Sequence, residues 1–160
     1  ANGCIPKPTF WTFKFYKDLD GECVLKSEDL VVLRTKEGGY QGIAWNAGRE
    51  RTDRELALSL SLPVCGAGEY VLVTKTVDEQ TCNPLRLWHD LGEPSSLSEG
   101  QKKLLRESAR PLVSSSRLKA SCEKLELVLE VKEFGVIYFE LKPVETVSDR
   151  GYDYDRVMRR

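Results

Sequence analysis

Residues 76–94 read TVDEQTCNPLRLWHDLGEP, and they interrupt a chain whose other segments carry the two-residue period of β-strands. Within this stretch Asn83 and Pro84 have the order of a helix N-cap and a first-turn proline, and Leu85, Trp88 and Leu91 fall on one helical face. Gly92 supplies a stop. The next residues, SSLSEGQKKLLRESARP at 95–111, read as a second helix. Ser96 and Glu99 have capping-box spacing, Leu97, Leu104 and Leu105 are its apolar positions, and Arg110 and Pro111 end it. A helix-loop-helix insertion at 83–110 therefore sits inside a chain of strands.

The flanking segments fix the class. Leu56, Leu58, Leu60 and Leu62 alternate with Glu55, Ala57, Ser59 and Ser61, while Leu125, Leu127, Leu129 and Val131 alternate with Glu126, Val128 and Glu130. Such runs bury one face and wet the other. Further strands are read at 23–27, 30–36, 40–46 (after the turn residues at 37–39), 69–77, 112–118 and 136–141, with a polar loop at 47–54. About eight strands without strand–helix alternation predict an all-β fold, a two-layer antiparallel β-sandwich carrying the helical insertion. The segment from Pro8 to Leu19 fits two patterns: Trp11, Phe13 and Phe15 alternate as in a strand, whereas Pro8 and the spacing of Phe10, Phe13 and Tyr16 suit a helix. Residues 144–160 are charged and short of apolar anchors, and read as a surface or disordered tail.

The 160 residues suit one domain able to bury roughly 70% of its unfolded surface. Lys and Arg number 24 against 25 Asp and Glu, so no net field draws in nucleic acid or an acidic membrane. Cys4, Cys23, Cys65, Cys82 and Cys122 are scattered, odd in number and without metal or redox spacing. They read as reduced thiols of a cytoplasmic protein, a secreted chain with two distant cysteines paired being the alternative. No apolar run approaches the roughly 18 residues of a membrane span, and no charged start with an apolar stretch marks a signal peptide.

Chemistry-bearing candidates are few, and no cofactor or metal is expected. Asp78 and Glu79 are neighbours at a strand end, where adjacent side chains point to opposite faces, and they read as a turn and cap pair. His89, the single histidine, has Asp90 beside it but no nucleophile in an elbow setting. Gly38, Gly39 and Gly42 join two strands and do not open a helix, so they form no phosphate cradle. Trp45, Trp88, Tyr40 and Tyr70 are the aromatics on which a sugar ring would stack, although Trp45 next to Ile43 in period and Trp88 between Leu85 and Leu91 also suit a core. Lys102, Lys103, Arg106 and Arg110 read as a solvated helix face.

The block YVLVTKTVDEQTCNPLRLWHDLGEP at 70–94 resembles part of the C-terminal β-sandwich of glycoside hydrolase family 39, with Asp78, Asn83, Pro84, Trp88, Gly92 and Pro94 at positions of the family's pattern. YQGIAWN at 40–46 is similar to the family's strand ending in TrpAsn or TyrAsn, and GVIYFEL at 135–141 to its last sandwich strand. The resemblance runs from Lys7 to about Pro143. It implies that KPTFWTFKFYKDLDGE at 7–22 is the last helix of the family's (β/α)8 barrel, which gives a barrel helix and linker at 1–21, the sandwich at 22–143 and the charged tail at 144–160. That family holds xylan 1,4-β-xylosidases and α-L-iduronidases, and its two catalytic glutamates lie on the barrel in motifs that this sequence lacks. The resemblance therefore implies a non-catalytic accessory domain, its parent a retaining xylan 1,4-β-xylosidase or, alternatively, an iduronidase-like glycosidase. Implied partners are the barrel of the same polypeptide, the parent's xyloside or other glycoside, and further copies in a homo-oligomer. Phe10, Trp11, Phe13 and Tyr16, together with Asp78 and Asn83, are expected to meet the barrel. An independent carbohydrate-binding module, with Trp45, Trp88 and Tyr70 as sugar contacts, is the other reading.

Overall fold

The structure, a computed structural model, describes residues 4–48, 55–65, 68–121 and 123–144. In chain order these form α1 (Pro8–Asp18), β1 (Glu22–Lys26), β2 (Leu30–Arg34), β3 (Tyr40–Trp45), β4 (Leu56–Pro63), β5 (Glu69–Val77), α2 (Pro84–Asp90), α3 (Glu99–Ser108), β6 (Leu112–Lys119), β7 (Lys124–Val131) and β8 (Val136–Pro143). All pairing is antiparallel, in a six-stranded sheet of order β1-β2-β3-β8-β5-β6 and a two-stranded sheet β4-β7. The expected all-β sandwich forms, with an unequal division between its layers.

The two kinds of strand pattern sort into different layers. β4 and β7, which alternate strictly, make the thin outer sheet, burying Leu60, Leu62, Leu125, Leu127, Leu129 and Val131 and wetting the residues between. These leucines meet Leu30, Val32, Tyr40, Tyr70, Leu72, Ile137, Phe139 and Leu141 from one face of the large sheet in the main core. The opposite face of β3 and β8 carries Ile43 and Tyr138, and α1 covers it with Phe15, joined by Trp11 and Leu19. Strands covered on both faces lose the wet positions that make alternation visible, which is why β8 reads VIYFEL with four of its residues buried.

The segment that fitted two patterns is helical. Pro8 stands at its first turn, Lys14 and Asp18 form an i,i+4 ion pair at 2.7 Å, and Phe15 is its one buried residue. The insertion also forms two helices, with one correction to the reading of its second start. Ser98 caps α3, accepting from the Gln101 amide at 3.2 Å while Gln101 Oε1 accepts from the Ser98 amide at 3.0 Å. The Ser96–Glu99 pair has the same spacing, but Glu99 is already the first helical residue and its carboxylate takes Lys102 Nζ at 2.7 Å. The apolar face is narrower than its spacing suggests: Leu105 is buried, whereas Leu104 and Leu85 are exposed.

Candidate functional site

α1 has two aromatic faces. Inward, Phe15 stacks on Tyr138 with centroids 5.3 Å apart, and Trp11 Nε1 donates to the Ala109 carbonyl at 2.6 Å, tying the helix to the end of α3. The Cys82 thiol bonds the same carbonyl at 3.1 Å, and burial, with the Asp78 carboxylate nearby, pushes its pKa up to about 11. Outward, Phe10 is 53% exposed, Phe13 72% and Tyr16 45%. Three large rings on one short helix are thus left to solvent beside a fourth that is fully packed.

Beneath α1 the sheet holds a polar cluster that sequence reading missed. The Tyr138 hydroxyl donates to Glu140 Oε1 at 2.9 Å, Lys142 Nζ lies 3.0 Å from the other Glu140 oxygen, and Lys75 Nζ sits 4.9 Å from the Tyr138 ring centroid and 3.9 Å from Glu140. Burial, then the bond to Glu140, holds the Tyr138 phenol well above its ordinary range. For Glu140 burial favours the neutral acid, but the bonds with Lys142 and Tyr138 and the charges of Lys142 and Lys75 outweigh it, so its pKa is lowered. The only sequence signal was charge at Lys75 and Glu140 inside otherwise apolar strands.

At the end of β3 and β8 a cleft of about 350 Å³ opens between α1 and the β7–β8 turn, lined chiefly by Thr12, Tyr16, Trp45, Asn46, Phe134 and Val136. Tyr16 and Trp45 rings lie 6.3 Å apart at 47°. Phe134 caps the turn with a left-handed backbone (φ 55) and an exposed ring. Its signal in the sequence is an aromatic between Glu133 and Gly135 in a tight connection.

The expected contact residues separate by position. Of the six named for the barrel, Phe10, Phe13 and Tyr16 face outward, while Trp11 is half-buried against the sheet and α3, Asp78 is buried in the turn after β5, and Asn83 caps α2 by accepting from the Arg86 amide at 3.2 Å. Asp78 Oδ1 accepts from the Gln80 amide at 2.8 Å and from the Thr81 amide at 2.6 Å, so this carboxylate oxygen is taken up by the turn. Of the three named for sugar, Tyr70 needs correction: it is 6% exposed between the sheets, and its ring face is covered by the chain itself. Trp45 lies on the opposite face of the large sheet, and Trp88 is half-buried at α2 with Nε1 donating to the Pro94 carbonyl at 3.3 Å. The three do not make one platform. Tyr40 is also buried, its hydroxyl bonded to the Pro63 carbonyl. His89 is exposed and its Nδ1 lies 2.5 Å from Glu93 Oε1. Among the described residues no group of three or more His, Cys, Asp or Glu is arranged to hold a metal.

The pattern for glycosyl hydrolases family 39 matches residues 1–123. A β-xylosidase from Geobacillus stearothermophilus is 30% identical over 152 residues, covering 93% of this chain and 30% of that protein. The family-39 enzyme of Xanthomonas axonopodis pv. citri superimposes with a TM-score of 0.74 at 19% identity, over 88% of this chain and 31% of that one. A monomeric β-xylosidase from Caulobacter crescentus gives 0.69 at 20% identity over the same shares. A bacterial orthologue of human α-L-iduronidase gives 0.56 at 18% identity, over 74% of this chain and 22% of that one. The chain spans about 30% of the length of the β-xylosidase it matches in sequence. At these identities the structural likeness establishes a shared sandwich, and the sequence match over most of the chain adds descent: the chain belongs to glycosyl hydrolase family 39.

Proposed function

We propose that this chain is the non-catalytic β-sandwich of a family 39 glycosidase, seated by the outer face of α1 on the catalytic (β/α)8 barrel of the same polypeptide. The observation that carries this reading is the division of α1: Phe15 is locked into the sheet while Phe10, Phe13 and Tyr16 remain open on the other side. An apolar face of this kind on a helix already anchored from behind fits a second body of fixed position. The match to 30% of a β-xylosidase's length leaves ample room in such a parent for a barrel. Retaining hydrolysis needs two carboxyl groups about 5 Å apart across the sugar bond, and in this reading the barrel supplies both. The parent then hydrolyses β-1,4-xylosides, with an iduronide as the alternative that the iduronidase-like neighbour favours.

The test is made on the parent polypeptide and on this chain in parallel. Phe10→Ser with Phe13→Ser in the parent lowers its thermal stability and its turnover of nitrophenyl β-xyloside, whereas the same pair in the isolated chain leaves the unfolding midpoint nearly unchanged. A parent indifferent to both substitutions overturns the docking face. Turnover by the isolated chain overturns the non-catalytic reading. Heat on titrating the isolated chain with xylo-oligosaccharides, lost in Trp45→Ala, would instead establish the Tyr16–Trp45–Phe134 cleft as a sugar site.

A further inference from the structure

The six-stranded sheet ends in β1 on one side and β6 on the other, and the two edges differ. β1 is five residues long and shifts register between Cys23 and Leu25, the kind of irregularity that spoils an edge for further pairing. β6 runs for eight residues in unbroken register, from Leu112 opposite Thr76 to Lys119 opposite Glu69, with neither proline nor bulge. Seven of its eight residues are exposed, Leu112 and Val113 among them. Its two charged residues, Arg117 and Lys119, stand at one end and lie 3.3 and 3.8 Å from Glu69 of the same chain. Among the described residues β6 pairs with β5 alone.

The direction of its free backbone groups is fixed. The Ala120 amide donates to the Gly68 carbonyl at 2.9 Å, continuing the β5–β6 register, so even-numbered residues of β6 bond to β5. Val113, Ser115 and Arg117 therefore turn their N–H and C=O groups outward. An antiparallel neighbour must oppose outward-facing residues to outward-facing ones, which admits only registers that pair odd with odd.

We propose that β6 is a self-pairing edge, on which a second copy of this chain lays its own β6 antiparallel across a two-fold axis at Ser115. The sequence LVSSSRL at 112–118 reads nearly alike in both directions. Centred on Ser115, it sets Leu112 against the partner's Leu118 on the face shared with the main core, Ser114 against the partner's Ser116, and Val113 against the aliphatic stem of the partner's Arg117. The serines keep the middle of the seam thin. The contact is isologous and closes at two subunits, joining the two large sheets into one. It uses the sheet edge and not the outer face of α1, so it stands or falls separately from the barrel reading.

The test is the mass of this chain in solution by sedimentation equilibrium over roughly 10 to 500 µM, a range suited to a modest interface. The expected result is a rise toward twice the monomer mass. Ser115→Pro removes an outward N–H and no bond to β5, so it weakens association at least tenfold with the unfolding midpoint nearly unchanged. Val113→Lys, which sets like charge against the partner's Arg117, weakens it comparably without a proline. A monomer throughout the range, or a dimer indifferent to both substitutions, overturns the proposal.

Discussion

Phe15 of α1 and Tyr138 of β8 stack with ring planes 24° from parallel, and through this pair the helix becomes a third layer on the sheet. The two rings are each about 2% exposed, so the contact is as dry as the main core on the other face. Lys75 Nζ lies over the Tyr138 ring and Glu140 accepts from its hydroxyl, which fixes that end of the ring. The helix is thereby anchored at an apolar point backed by a polar one, which leaves its outer aromatics in a defined position.

Replacing Phe15 with Ala empties that contact and should cost about 3–5 kcal/mol, the usual range for deleting a buried ring. Phe13→Ala, at a solvent-facing position on the same helix, should stay within about 0.5 kcal/mol. Denaturant unfolding of the two variants measures the contrast. Equal losses would mean that α1 holds to the sheet by something other than its inner face.

The Tyr138 phenol gives the stability a dependence on alkaline pH. In the unfolded chain it ionises near its ordinary value of 10.0, whereas in the folded chain burial and Glu140 keep it neutral to higher pH. Its contribution is fully present below about pH 10 and is lost as pH rises toward the folded value. Glu140 works in the opposite sense, since a lowered pKa gives stability above its ordinary range that is lost on acidification. Unfolding midpoints between roughly pH 9 and 12 should fall in the wild type and fall less steeply in Tyr138→Phe. A parallel slope in both would remove Tyr138 as the source.

Two glycines should respond oppositely to alanine. A Cβ on Gly42 would lie 2.4 Å from the Phe139 ring and 2.6 Å from the Val31 carbonyl oxygen, both held in the sheet and core, so Gly42→Ala should cost about 1–3 kcal/mol. Gly100 lies in α3 with Ser98 Oγ, at 3.9 Å, as the nearest contact of an added Cβ. Gly100→Ala should stabilise by about 0.5–1 kcal/mol through helix propensity and a less flexible unfolded chain. Thermal melts of the pair decide it.

What the sequence made legible follows from which surfaces are wet. β4 and β7 were readable because each has a solvent face, and Glu126 and Glu130 between the leucines declared it. β3, β5 and β8 were readable as strands, but nothing in their pattern said that a helix covers the second face, since a strand buried on both sides hides what buries it. That is also why Tyr70 looked available for sugar: a tyrosine near a strand start carries no mark of its face until the register with Pro143 and Leu118 is known. The Lys75–Tyr138–Glu140 cluster joins strands over sixty residues apart in sequence, a relation that spacing cannot encode. Ser98 and Ser96 both precede a plausible capping partner in SSLSEGQ, and only the position of the first helical turn separates them.

Asp78 is the buried acidic residue whose role was readable from its place at a strand end, and its loss should be the most local test of the insertion. Its Oδ1 accepts from the amides of Gln80 and Thr81 and from Thr81 Oγ1 at 2.9 Å, while its own amide donates to the Thr81 carbonyl at 3.2 Å. The turn hands the chain directly to Cys82, in a left-handed conformation (φ 59), and to Asn83, the cap of α2. Asp78→Ala takes the acceptor from those donors at a part-buried turn and should cost about 1–3 kcal/mol. Asp78→Asn keeps a carbonyl oxygen for the two amides and should cost less. Amide hydrogen exchange localises the effect: Gln80 and Thr81 should exchange faster in Asp78→Ala, and the strand amides of β4 and β7 should not. If Asn proved as damaging as Ala, the carboxylate's charge, and not its place as an acceptor, would be what orders the turn.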